Sequence, residues 1–230
     1  MSPSRNIGRA YNLQFGGASE GGKALEIQPS DVLLVVDIQN DFCPGGALAV
    51  SGGDEIVPIV NALMDRFENV ILTQDWHPPH HQSFASSHPD KSPFELIELD
   101  YGPQVLWPDH CVQGTPGAGF HRDLHVDRAQ MVIRKGFRTD VDSYSAFMEN
   151  DKKTTTGLAG CLSERGLRRI FVCGIATDVC VKFTALDARA SCFDVVLIEA
   201  ASRGIDRDGS MASSRAEMAA AGVDLINNLA

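Results

Sequence analysis

The stretch Val32-Leu33-Leu34-Val35-Val36-Asp37-Ile38-Gln39-Asn40-Asp41-Phe42 decides the fold. Its aliphatic run shows no alternation, which describes a strand buried on both faces, as in a parallel sheet. The run ends on an acid followed by polar residues, the change expected where a strand leaves the core. Similar runs recur at Val70–Leu72, Met131–Ile133, Ile170–Cys173 and Val195–Ile198, with a weaker one at Val223–Ile226. Helical stretches fall between several of them, over about 54–67, 155–165, 178–190 and 209–221, with Gly166 and Gly222 at C-cap positions. This alternation predicts a doubly wound α/β domain with a mainly parallel sheet between helices.

The chain has 230 residues, room for one large or two small domains at about 150 residues each. No Pro/Ser-rich linker divides it, so a single domain is expected over 31–230. Residues 1–30 read as an N-terminal arm broken by Gly16-Gly17 and Gly21-Gly22. The region from about 75 to 129 interrupts the strand–helix rhythm, is rich in proline and holds all seven histidines. A long insertion of this kind inside a compact domain is usually functional.

Lys and Arg number 20 and Asp and Glu 30, a formal net charge of −10. An acidic chain lacks the basic face that nucleic acid or an anionic membrane surface requires, so neither is expected as a partner. The longest aliphatic run, Val32–Val36, is far shorter than the roughly 18 residues of a membrane span. The first residues contain no apolar core of a secretory signal. The six cysteines form no Cys-x-x-Cys pair. Together these features predict a cytoplasmic chain in which most thiols are packing residues.

In open α/β sheets, ligands bind beyond the carboxyl ends of the strands. The residues there are Asp37, Asp75, Lys135 and, past a short turn, Cys180. Taken singly, each is what a solvated strand end or a core thiol would supply. Taken together, they are chemically complementary. In Gly174-Ile175-Ala176-Thr177-Asp178-Val179-Cys180, Thr177 or Asp178 is a natural N-cap. Cys180 then lies in the first helical turn, where free N–H groups and nearby Lys135 favour a thiolate. Those N–H groups could also hold an oxyanion, and Asp37 could take the thiol proton.

A second constellation is Asp75-Trp76-His77-Pro78-Pro79-His80-His81, joined by His110 in Trp107-Pro108-Asp109-His110-Cys111. One carboxylate and three imidazoles suit Zn²⁺, Fe²⁺ or Mn²⁺; the plain alternative is a histidine-rich surface loop. Adjacent His80 and His81 do not readily face one ion, and His88, His121 and His125 read as loop residues. No phosphate-binding loop is present.

These motifs, with Lys135-Gly136, resemble the nicotinamidase/pyrazinamidase family of isochorismatase-like cysteine hydrolases over about Asp31 to Asn228. The resemblance implies a three-layer α/β/α fold around a six-stranded sheet of order 3-2-1-4-5-6. It implies a triad of Asp37, Lys135 and Cys180, and an oxyanion hole from the Ala176 and Cys180 N–H groups beside a cis peptide. It implies one divalent metal, zinc foremost with iron or manganese as alternatives, on Asp75, His77, His81 and His110. Phe42, Trp107 and Tyr144 would line the pyridine ring. The implied reaction is hydrolysis of nicotinamide, and of pyrazinamide, through a Cys thioester, feeding NAD salvage. A homo-oligomer is compatible with it. Two other readings stay open: a different small-amide hydrolase of this fold, or a catalytically silent metal- or ligand-binding member.

Overall fold

In chain order the strands of the computed structural model are β1 (Asp31–Val36), β2 (Asn69–Asp75), β3 (Leu96–Leu99), β4 (Gly102–Val105), β5 (Met131–Lys135), β6 (Arg169–Ile175), β7 (Asp194–Arg203) and β8 (Asp224–Ile226). The helices are α1 (Val57–Met64), α2 (Leu158–Glu164), α3 (Lys182–Ala190) and α4 (Ser210–Ala220). The structure describes residues 25–229, so most of the expected N-terminal arm lies outside the described residues. The end of that stretch sits on the domain: Leu25 and Ile27 pack against the core, and Arg169 donates to the Glu26 carbonyl.

Six strands form one sheet in the order β5-β2-β1-β6-β7-β8, with every neighbouring pair parallel. Counted along that sheet, this is the expected order 3-2-1-4-5-6. β1 is central, and all six of its residues are buried. Leu33 and Val35 face one side with Phe171, Cys173 and the α1 residues Val57, Val60 and Met64. Val32, Leu34 and Val36 face the other, against Leu158 and Leu162 of α2, Ala185 and Ala188 of α3, and Met218 of α4. Burial on both faces explains why the central runs carry no period-two alternation. β1 and β6 approach so closely that a Cβ on Gly174, whose φ is +121°, would lie 2.1 Å from the Val36 carbonyl oxygen; only glycine fits there.

The elements differ from expectation at their ends. α1 begins at Val57, with Pro58 in its first turn, rather than near residue 54. Proline suits that position because its missing N–H is one the helix leaves unbonded there. β7 runs on to Arg203, and its register against β6 shifts between Val172 and Gly174. The insertion is not structureless: β3 and β4 pair as an antiparallel hairpin. Among the described residues, no helix is long and apolar enough to cross a membrane.

Candidate active site

The carboxyl edge of the sheet gathers the first group. Asp37 follows β1 directly and has φ +48°, a left-handed conformation that aspartate tolerates better than most residues. Its side chain is fully buried. Thr73 of β2 fixes it in two ways: the Thr73 hydroxyl donates to Asp37 Oδ1 at 2.6 Å and accepts the Asp37 N–H at 3.1 Å. Lys135, the last residue of β5, points its ammonium into the same space. Its Nζ lies 2.8 Å from Asp37 Oδ2, 3.0 Å from Asp75 Oδ1, 3.1 Å from the Ser143 carbonyl and 3.4 Å from Cys180 Sγ. The contact with Asp37 Oδ2 is a fully buried ion pair.

Electrostatics follow from burial set against these contacts. Desolvation raises the Asp37 pKa above its ordinary 3.8, and Lys135 only partly offsets it. Desolvation alone would discharge Lys135, but Asp37 and Asp75 outweigh it and keep the ammonium protonated. For Cys180 the balance corrects the sequence expectation of a lowered pKa. Burial pushes the thiol well above its ordinary 9.0, Lys135 opposes, and the Asp37 and Asp75 charges reinforce the rise. Cys180 therefore rests as a thiol and needs a base at the moment of attack.

The helix start also differs from expectation. Residues Thr177–Val181 form a π-helical turn ahead of α3, and Ala176, not Thr177 or Asp178, stands at the cap without a side-chain hydrogen bond. The Asp178 carboxylate instead accepts the N–H groups of Ile205 and Asp206, both at 2.9 Å, and the Ser210 hydroxyl. It thereby ties the loop after β7 to the segment that carries Cys180. The peptide bond between Ile175 and Ala176 is cis.

The second group is assembled by cross-links from the Asp37–Phe42 motif. Gln39 donates to the carbonyls of Asp75 and Ala118 and accepts the Asp75 N–H. Asp41 accepts the Cys111 N–H at 2.7 Å, and Asn40 donates to the Pro116 carbonyl. These bonds stitch the insertion to the end of β1 and bring His77 and His110 to Asp75. Gly136 leaves space for His77; a Cβ there would come within 2.5 Å of the imidazole.

Asp75, His77 and His110, all buried, offer three donor atoms within 4.8 Å of one another. His77 Nδ1 lies 2.9 Å from the Gly136 carbonyl and His110 Nδ1 2.7 Å from the Pro108 carbonyl, so each Nδ1 carries the hydrogen and donates it. Both Nε2 atoms then face Asp75 Oδ2, at 3.0 and 3.3 Å. Two imidazole lone pairs and a carboxylate oxygen converging this way call for a cation between them. Without a cation, the same closeness makes Asp75 and His77 partners of opposite charge. Burial opposes both charges, yet His77 and Lys135 hold Asp75 well below its ordinary value, and Asp75 raises His77. The donor set fits a divalent metal of the zinc type.

His81 stands apart from that trio. Its Nδ1 accepts the Ser83 N–H, and its Nε2 faces the Val141 carbonyl at 3.2 Å. It belongs instead to a second buried donor group, His77, His81 and Asp142, that shares His77 with the first. His80 is exposed, with φ +62°.

Both groups border one small cavity. Phe42, Trp107 and Tyr144 line it, as does Ala176 beside Cys180. The Trp107 indole donates to the Tyr144 hydroxyl at 3.2 Å. The sequence reading missed the apolar lining residues Leu48, Val50, Val179 and Ile205. It also missed Thr73 and Asp142, which lie outside the motifs and follow no periodicity that singles them out.

Comparison with known proteins gives a consistent result. The family pattern described as Isochorismatase domain matches residues 31–228. A nicotinamidase of Acinetobacter baylyi is 53% identical over 196 residues, covering 85% of this chain and 92% of that protein. A solved Acinetobacter baumanii nicotinamidase/pyrazinamidase superimposes with a TM-score of 0.86 at 55% identity, covering 87% of this chain and 97% of that one. A pyrazinamidase of Pyrococcus horikoshii, solved in complex with zinc, gives 0.71 at 37% identity, covering 87% and 100%.

Proposed function

The chain belongs to the isochorismatase domain family, and from that premise we propose that it is a nicotinamidase that works through Cys180. It hydrolyses nicotinamide to nicotinic acid and ammonia, a step of NAD salvage, and it accepts pyrazinamide. The observation that carries this reading is the meeting of Asp37 and Lys135 with Cys180, where Cys180 borders an aromatic-walled cavity beside three convergent metal donors, in a chain 53% identical to a nicotinamidase.

The geometry supports an order of events. The substrate ring lies among Phe42, Trp107 and Tyr144. A divalent ion, zinc in our reading, would be held by Asp75, His77 and His110 with His81 nearby, and would supply a Lewis acid beside the substrate ring. Asp37, paired with the same ammonium that touches the Cys180 sulfur, takes the Cys180 proton. The sulfur attacks the carboxamide carbon, and the N–H groups of Ala176 and Cys180 receive the oxyanion. Asp37 returns the proton to the departing ammonia, leaving a thioester. Asp37 then draws a proton from water, which attacks the thioester, releases nicotinic acid and restores the thiol. Lys135 keeps Asp37 ionised in a site with little water. The six cysteines are all free, which suits a cytoplasmic enzyme acting as one hydrolase domain over 31–230.

Ammonia release from nicotinamide, measured with and without a chelator and beside ureido and maleamic amides, tests the function. Nicotinamide is expected to be the preferred substrate, with turnover falling when metal is withdrawn. No turnover of nicotinamide by metal-loaded protein would overturn the reading.

A further inference from the structure

The cavity contains a carboxylate that the mechanism above does not use. Asp142 is 2% exposed and lines the cavity. It accepts the Ser143 N–H at 2.8 Å and the Gln104 side-chain amide at 2.9 Å, both neutral donors. Among the described residues it has no lysine, arginine or histidine within ion-pair distance, unlike buried Asp37, Asp75 and Glu149. Burying a carboxylate without a counter-charge is expensive, and a cation taken up by the cavity would offset that cost.

The surroundings identify the chemistry. Asp142 offers an oxygen within 4.8 Å of donor nitrogens of His77 and His81, and His77 also belongs to the Asp75 group. The charges count the same way. Asp37, Asp75 and Asp142 are three buried carboxyl groups, and Lys135, already shared between the first two, is the one ammonium among them. Histidines must be neutral to ligate a metal; with one bound, two formal negative charges remain, and a divalent cation cancels them.

We propose that Asp142 is a further acidic member of the cation centre, supplying its second unpaired negative charge. The inference rests on reading this site as a divalent-metal centre. It makes Asp142 a determinant of metal affinity that the histidine-rich motifs do not reveal.

Calorimetric titration of the chelator-stripped full chain with zinc chloride tests it, together with thermal unfolding before and after loading. Asp142→Asn keeps the size of the side chain and removes its charge. Zinc affinity is expected to fall about tenfold to a hundredfold, the range for groups that support metal ligands. The variant's gain in melting temperature on zinc loading should shrink relative to that of wild type. A merely structural Asp142 predicts an unchanged gain on zinc loading and unchanged affinity, whatever the stability of the stripped variant. Affinity within twofold of wild type would overturn the proposal even where wild type binds zinc tightly. Wild type that binds no zinc would overturn the metal reading itself.

Discussion

The two halves of the site are built by different means. Asp37 and Lys135 stand at the ends of β1 and β5, and Cys180 follows β6, so backbone pairing within the sheet places the catalytic half. The cation half comes from a loop insertion in which His77 and His110 are more than thirty residues apart. It holds its shape through side-chain bonds from Gln39, Asn40 and Asp41. The sheet supplies the reacting atoms and Asp75, and the insertion supplies the histidines of the donor set. Lys135 joins the halves, touching Asp37 and Cys180 on one side and Asp75 on the other.

Single substitutions should separate the halves. The largest effect is expected from Cys180→Ala, which should lower ammonia release by about a thousandfold or more while metal content, read by elemental analysis, stays that of wild type. Substantial residual turnover would mean that the attacking group lies elsewhere.

Next in size is Lys135→Ala, which should damage both halves because it leaves Asp37 and Asp75 buried without their shared cation. Removing one partner of a buried ion pair costs about 3–5 kcal/mol, a loss that denaturant unfolding can read. A variant of unchanged stability would show that the halves are not joined through this ammonium. His77→Ala should break only the cation half. It should lose stoichiometric metal and raise KM for nicotinamide, with Cys180 still present and the fold intact by circular dichroism. Full metal occupancy in that protein would remove His77 from the ligand set.

The smallest effect is one of pH. Burial raises the Asp37 pKa above 3.8, and Asp37 must be ionised to act as base. Activity should therefore fall on acidification with an apparent pKa above that value, where an unperturbed aspartate would still be ionised. A kcat/KM profile flat down to pH 3.8 would contradict this role.

The sequence exposed the sheet almost completely, because a strand buried on both faces must be a continuous apolar run and the reactive residues follow such runs, Asp37, Asp75 and Lys135 within a few positions and Cys180 past a turn. Its ends were less legible: the π turn at Thr177–Val181 and the extension of β7 to Arg203 depend on tertiary contacts that local composition does not record. Asp178 had the composition of an N-cap but serves as a tie to the 205–210 loop, since three donors from that loop compete for its carboxylate. The Cys180 pKa was misjudged for a related reason. A helix start and a neighbouring lysine are visible in sequence, whereas complete burial, which outweighs them here, is a property of the packed cavity. The cation half was legible as a set of residue types, but its division into two groups meeting at His77 was not, because hydrogen bonds to Ser83 and Val141 decide where His81 points.

The central claim is that the amide carbon becomes covalently bound to Cys180. Turnover of nicotinamide in the presence of hydroxylamine tests it most directly. A thioester partitions between water and hydroxylamine, so the hydroxamate of nicotinic acid should appear in proportion to hydroxylamine while the rate of ammonia release does not fall. Nicotinic acid as the sole product at every hydroxylamine concentration would contradict the account and point to direct attack by water.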